Sequence, residues 1–210
     1  ERDAQMPKRL LAVSDIHGHG KSLARLLKAA HYDAKDDQLV LIGDYVNNGP
    51  DSVGTLKFVK QLVNDGAIAL VGNHELRWLE RKDKPAIQWH QFINELPYYK
   101  VIGQYIFVHA GIDTSKSMRK QSRAVVTGHA PENLNHFLPK NKVIVHGHVP
   151  NYRLGYKKDH IHIEPRVIDI DTGAGHNQYL TLLDLTSQKQ YSVKVSDDDA
   201  KIQERRVKLK

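Results

Sequence analysis

The 210-residue chain is 40% hydrophobic and 26% charged, sets 31 Lys and Arg against 24 Asp and Glu for a net charge of +7, and has no cysteine. That length and balance fit one globular domain with a substantial core. The lack of cysteine excludes disulfides, thiolate metal sites and thiol nucleophiles, so any metal must be held by nitrogen and oxygen.

Lys8 to Ser14 reads as a short buried strand, followed by the Gly-rich loop Asp15-Ile16-His17-Gly18-His19-Gly20. Ser22 can cap a helix that carries Leu23, Leu26, Leu27 and Ala30 on one face. Leu39 to Ile42 is a second apolar strand. Gly43, two asparagines and Gly49-Pro50 then force a loop, so Asp44 stands at a strand's carboxyl end. Pro50-Asp51-Ser52 opens a helix bearing Val53, Leu56, Val59, Leu62 and Val63, closed by Gly66. Ala67 to Val71 is the third strand and runs into Gly72-Asn73-His74-Glu75. This β-α-β-α-β order is that of a parallel sheet covered by helices.

His74 to Leu96 has helical spacing with Pro85 as a break. Tyr98 to His109 forms two strands about Gly103-Gln104, the second ending at His109-Ala110-Gly111. Residues 112–140 are polar and irregular, and Lys142 to Val145 is a strand ending at His146-Gly147-His148. Further strands are expected at 161–163, 167–170, 179–185 and 191–195. The resulting division is a flexible N-terminal arm at 1–7, one domain at 8–195 and a charged tail at 196–210. In that tail Asp197-Asp198-Asp199 precedes five Lys or Arg and one Glu between Lys201 and Lys210. With no aromatic residue interleaved among the basic ones, nucleic acid is not an expected partner. No apolar run approaches the roughly 20 residues of a membrane span. The polar start Glu1 to Gln5 has no signal-peptide core, so a cytoplasmic location is expected.

Five strands end on metal-capable residues: Asp15 with His17, Asp44, Asn73 with His74, His109, and His148. Strand ends of one polarity converge on one rim, where open α/β sheets bind ligands. The spacing from Asp15 to Asp44 and from Asp44 to Asn73 is 29 residues each time. That is one β-α-β step, so these ligands belong on neighbouring strands. Asp15, His17 and Asp44 are expected to hold one divalent ion, and Asp44, Asn73, His109 and His148 a second. A carboxylate can bridge ions about 3.5–4 Å apart that activate water for phosphoryl transfer. The mixed donors suit Mn best, with Fe, Zn, Co or Ni as alternatives.

The ordered set Ser14-Asp15-Ile16-His17-Gly18, Gly43-Asp44 through Gly49-Pro50, Gly72-Asn73-His74-Glu75, His109-Ala110-Gly111 and Gly147-His148-Val149-Pro150 resembles the calcineurin-like metallophosphoesterases. Within them it looks most like the serine/threonine phosphoprotein phosphatases and the symmetrical diadenosine tetraphosphatases. The resemblance implies an α/β, four-layer αββα sandwich of two mixed sheets flanked by helices. It also implies that His74 is the general acid protonating the leaving oxygen, after a metal-activated water attacks phosphorus in line.

The chain departs from the phosphatases at Asn47 and Asn48, where they usually carry Asp and Arg. Asn47 can accept a hydrogen bond from the catalytic histidine but brings no charge, so His74 should be less readily protonated. Asn48 cannot reproduce an arginine's grip on phosphate. A second phosphate-gripping arginine is expected between the His109 and His148 segments, where Val125 to Ala130 offers only His129. Arg153, with Lys157 and Lys158, can supply positive charge from the loop after His148. His146 reads as packing or as support behind the ligands, His160 and His162 as the polar face of a strand, and Trp78 and Trp89 as core or rim packing. The leading expectation is a phosphomonoesterase acting on a phosphorylated protein. The alternatives are a hydrolase of diadenosine tetraphosphate or related nucleotides, and a catalytically feeble metal-binding module.

Overall fold

The computed structural model describes residues 6–129 and 141–209. Residues 1–5 of the expected arm, residues 130–140 of the irregular stretch, and Lys210 lie outside the described residues. Strand β1 (Arg9–Val13) leads to helix α1 (Gly20–Ala29), β2 (Asp37–Leu41), α2 (Ser52–Asn64) and the two-residue β3 (Ile68–Ala69). Three short helices follow: α3 (Asn73–Glu80), α4 (Lys84–Ile87) and α5 (His90–Asn94). Next come β4 (Tyr99–Ile102), β5 (Tyr105–Val108), α6 (Arg123–Gly128) and β6 (Val143–His146). The chain closes with β7 (His162–Glu164), β8 (Val167–Asp169), β9 (Tyr179–Asp184), β10 (Lys189–Lys194) and β11 (Gln203–Arg206).

Two mixed sheets form. One has the order β11-β10-β9-β1-β2-β3, with β1, β2 and β3 parallel; the other has the order β4-β5-β6-β8-β7, with β5, β6 and β8 parallel. The apolar strands are continuous rather than alternating because both faces of each sheet are covered. Along β1, Leu11 and Val13 join Leu23, Leu26, Leu56 and Val59 of α1 and α2 in one core cluster. Leu10 and Ala12, on the opposite face, pack with Phe107, Val145 and Ile168 of the second sheet. The outer face of that sheet buries Ile106, Val108 and Ile144 against Val126 of α6. The layers are therefore helices, sheet, sheet and helix, and α6 is the outer cover of the second sheet among the described residues.

Several local expectations are corrected. Helix α1 starts two residues before Ser22, which is buried inside it, and His19 takes the N-cap position. In α2 the carboxylate of Asp51 does cap, accepting from Gly54 N–H at 2.8 Å. Pro85 does not break a helix but opens α4 at its second residue, where its missing N–H costs nothing. His162 is 7% exposed and sits in the interior rather than on a polar strand face. The segment read as a solvated tail adds β11 to the edge of the first sheet, antiparallel to β10. Arg205 on it donates to Asp159 at 2.9 Å and Lys189 meets Glu204 at 2.9 Å, so charged side chains hold this edge strand in place.

Candidate metal centre

The loops after β1 and β2 are laced together by backbone bonds. Asp15 N–H donates to Gly43 O at 3.0 Å, His17 N–H to Asp44 O at 2.9 Å, and Gly18 N–H to Tyr45 O at 2.8 Å. Within the second sheet, Gly147 N–H donates to His109 O at 2.9 Å, joining the ends of β5 and β6. Six non-glycine residues in these loops hold left-handed backbone: Asp15, His17, Asp44, Asn47, Asn48 and His148, with φ between 45° and 71°. Each such residue costs of order 1 kcal/mol or more and is tolerated where the surroundings fix it, as at functional sites.

Two of the imidazoles are aimed by their second nitrogen. His17 donates from Nδ1 to the carbonyls of Val46 at 3.0 Å and Asn47 at 3.1 Å. Its Nε2 therefore faces Asp15 Oδ1 at 3.8 Å and Asp44 Oδ2 at 3.6 Å. His109 donates from Nδ1 to Ile42 O at 2.8 Å, which leaves Nε2 at 3.3 Å from Asp44 Oδ2 and 2.9 Å from Asn73 Oδ1. His148 Nδ1 lies 3.1 Å from the same Asn73 oxygen, and His148 N–H donates to Asp15 Oδ2 at 3.0 Å. Such outer hydrogen bonds are how proteins fix imidazole ligands.

Two donor groups result, in each of which one ligand atom per residue lies within 4.8 Å of the others: Asp44 with His109 and His148, and Asp44 with His17 and His74. Asp44 belongs to both. The second group holds His74 where the sequence reading has Asp15, whose Oδ2 is engaged by His148 N–H and by the Ser14 hydroxyl. Burial opposes ionisation of Asp44, yet the neighbouring His109 and His17 outweigh it and hold the carboxyl below the ordinary range. Burial likewise lowers the two histidines, but Asp44 and Asp15 override it, lifting His109 to about 10 and, with Asp15 foremost, His17 to about 9. A buried cluster of this kind demands positive charge, and its N/O donors fit divalent transition-metal ions.

Glu75, fully buried, accepts from Asp44 N–H at 2.7 Å, Tyr45 N–H at 2.9 Å and Gly72 N–H at 2.9 Å, clamping the ends of β2 and β3. Sequence reasoning named no role for it, although its place after His74 was visible.

Asn47 differs from expectation in the direction of its hydrogen bond. Its Oδ1 accepts from Trp78 Nε1–H at 2.9 Å, and its Nδ2 faces His74 Nδ1 at 3.0 Å. Indole nitrogen can only donate, so it fixes the amide, and the amide nitrogen must then donate to His74 Nδ1. The expected acceptor is thus a donor. His74 keeps its remaining proton on Nε2, and burial lowers its pKa below the usual value. Trp78 is buried as expected, but it also sets this amide, a role that sequence did not reveal.

The donors open into a pocket of about 260 Å³ whose lining includes Asn48, Arg77, Arg153, Asp171 and His176. Asn48 and Arg153 both line it. His129 is exposed at the end of α6 and is not among the lining residues. Arg77 and His176 were missed. The spacing of Arg77 three residues after His74 on one helix was a usable signal. His146 is 2% exposed and donates to Gly147 O at 2.8 Å; burial pushes its pKa down to about 4, which makes it a packing residue.

Two stacked mixed sheets with histidine, aspartate and asparagine gathered at one rim define a metallophosphoesterase fold. The signature of the family described as calcineurin-like phosphoesterase matches residues 8–181, and the chain belongs to that family. A symmetrical bis(5'-nucleosyl)-tetraphosphatase of Nitrosospira multiformis is 35% identical over 128 residues, covering 53% of this chain and 46% of that protein. One from Aeromonas hydrophila is 48% identical over 71 residues, 34% of this chain and 26% of that protein. The chain matches about half the length, or less, of these curated relatives. Among solved structures, a protein assigned as a diadenosine tetraphosphatase superposes with a TM-score of 0.70 at 23% identity, covering 90% of this chain and 95% of that one. A protein serine/threonine phosphatase of Saccharomyces cerevisiae superposes with a TM-score of 0.65 at 13% identity, covering 99% and 82%. Among the described residues no helix is long and apolar enough to cross a membrane.

Proposed function

We propose that this chain is a metal-dependent hydrolase of dinucleoside polyphosphates, cutting the phosphoanhydride bridge between two nucleotides. This replaces protein phosphatase as the leading reading. The observation that carries it is the amide of Asn47 donating to His74 Nδ1 under the control of Trp78. A serine alkoxide leaves only with a full proton from a strong general acid. A nucleoside diphosphate leaves from an anhydride as a phosphate, whose own second pKa is about 6, and needs far less help. His74, presenting an Nε2–H with no carboxylate behind it, suits the second leaving group. The curated tetraphosphatases among the relatives support the same choice.

His17, Asp44 and Asp15 would hold one divalent ion, and Asp44, Asn73, His109 and His148 the other, with Mn the first choice and Fe, Zn, Co or Ni the alternatives; His74, its Nδ1 taken by Asn47 and its Nε2 protonated, is left for the leaving group. When bound, such ions supply Lewis-acid charge to phosphate oxygens and acidify water. The chain itself contributes Arg77, Arg153 and His176 at the pocket rim to hold the flanking phosphates, replacing the grip that Asn48 cannot provide. His74 Nε2–H donates to the departing oxygen. Symmetrical hydrolysis of a tetraphosphate breaks the central P–O–P bridge and releases two nucleoside diphosphates.

The test is a comparison of kcat/KM on Mn-loaded protein for diadenosine tetraphosphate, an aryl phosphate and a phosphoserine peptide. The dinucleotide should lead the peptide by at least about 10²-fold, and Asn47→Asp should narrow that gap by restoring an acceptor behind His74. Equal rates on peptide and dinucleotide would return the protein phosphatase reading. No turnover with any tested metal would favour a metal-binding module without catalysis.

A further inference from the structure

A second cavity, of about 790 Å³, adjoins the metal-site pocket. The two share a ridge. His17, Gly175 and His176 line the pocket, while Gly18, His19 and Asn177 line the cavity. His17 and His19 are two residues apart, so their backbones lie within about 8 Å of each other. At about 260 Å³ the pocket is smaller than a typical small-molecule site, roughly 300–1,000 Å³, whereas the cavity falls inside that range. A substrate with phosphates at the metals has a place beyond the ridge for a bulkier group.

The chemistry of the cavity identifies that group. Ala24, Pro50, Phe58 and Val195 give it apolar walls. His19 is 7% exposed, and its Nε2 is a buried polar atom without a hydrogen-bond partner. Leaving such an atom unmade costs about 1–3 kcal/mol, which a ligand heteroatom would recover once a small turn of the ring brings the nitrogen to the cavity wall. The starts of α1 and α2 also face the cavity, and two of their donors are already engaged within the protein. Gly20 N–H donates to Thr55 Oγ1 at 3.0 Å, and Gly54 N–H to Asp51 Oδ1 at 2.8 Å. Asp51 and Asp198 outnumber Lys21 among the charged lining residues and leave the lining formally negative. A further phosphate is therefore disfavoured. A flat, neutral ring with hydroxyl or amine donors for the carboxylates and a polar edge for His19 is favoured.

We propose that this cavity is the binding site for one nucleoside of the dinucleoside polyphosphate, a purine base and ribose seated between α1, α2 and the turn after β10. The polyphosphate runs from it over the His17–His19 ridge to the metal pocket. This assignment rests on the nucleotide-hydrolase reading for the identity of the whole substrate.

The experiment measures adenosine, which carries no phosphate, and diadenosine tetraphosphate separately. Adenosine binding to the full chain is followed by NMR shift perturbation, in the wild type and in Ala24→Trp. Residue 24 is exposed on α1 and lines the cavity, so the indole fills the space from the solvent side. Adenosine should shift Gly18, Gly20 and Phe58 in the wild type and should lose at least tenfold in affinity in the variant. The ratio of kcat/KM for diadenosine tetraphosphate to that for p-nitrophenyl phosphate should fall at least tenfold in the variant. If the wild type cleaves the dinucleotide but adenosine leaves these resonances unmoved, the cavity assignment is overturned and the hydrolase reading survives. If adenosine binds and is displaced by the Trp while only p-nitrophenyl phosphate or phosphopeptide is cleaved, the nucleoside site stands and the dinucleotide reading fails.

Discussion

Gly49 is where the metal-site architecture is least able to absorb an atom. Its backbone is not in the left-handed region, so the argument is purely one of space. A Cβ built there falls 1.6 Å from the carbonyl oxygen of His17 and 2.8 Å from the carbonyl carbon. Ordinary carbon–oxygen contact begins near 3 Å, so Gly49→Ala must move the His17 peptide and residue 49 apart by roughly 1.5 Å. That motion strains two buried links between the loops, Gly18 N–H to Tyr45 O at 2.8 Å and Asp51 N–H to Gly18 O at 3.2 Å. Each is worth about 0.5–1.5 kcal/mol net, and overpacking itself costs about 1–3 kcal/mol, for a total of about 2–6 kcal/mol. In a chain of this size that lowers Tm by about 5–25 °C. The same motion carries His17 Nε2 away from Asp44, so Mn affinity measured by calorimetry should fall by at least about tenfold. Gly128→Ala is the control, because nothing lies within 4 Å of its Cβ position. It should stay within about 1 °C of the wild type. A Gly49→Ala protein with wild-type Tm and Mn affinity would refute the reasoning and mean that the two loops do not approach as described.

Three further outcomes are expected. Arg77→Ala and Arg153→Ala should each raise KM for a phosphate substrate by about 3–30-fold with kcat within about threefold if, as proposed, each holds a phosphate that does not react; a pure kcat effect would place them in the chemical step instead. Trp78→Phe removes the donor that fixes Asn47, so the amide can turn its oxygen toward His74. The ratio of phosphopeptide to dinucleotide turnover should then rise severalfold, with about 1–2 kcal/mol lost in urea unfolding; an unchanged ratio would dismiss the amide's control of His74. Finally, burial raises the carboxyl of Asp37, but the Arg9 guanidinium, bonded at 2.8 and 3.1 Å, outweighs it and depresses its pKa. A depressed folded pKa contributes stability above the ordinary carboxylate value near 4, lost as pH falls through the folded value. The stability gap between wild type and Asp37→Asn should therefore be full at pH 6 and shrink steadily below pH 4. A gap independent of pH would mean the pair does not ionise as a pair.

What the sequence determined by itself was the scaffold and the identity of the side chains gathered at its rim. Continuous apolar runs ending in loop-forming residues at 29-residue intervals specify parallel strands, and parallel strands deliver their last residues to one rim. Asp15, Asp44 and Asn73 are neighbours in space for that reason alone. Local pattern was weaker where charge hid a strand. The residues of β11 have no apolar alternation, and they join the sheet only because Arg205 and Glu204 find partners 46 and 15 positions away. The tertiary structure alone decided which groups orient and surround the side chains at that rim. That Asn47 donates to His74 depends on an indole 31 residues away claiming its oxygen, and Arg77 and His176 meet Arg153 only once α3 and the turn after β8 close on the same pocket. Side-chain identity and period are local properties, so a single chain displays them. The direction of a hydrogen bond and the shape of a cavity are set by groups distant in sequence, so they exist only after the layers have packed.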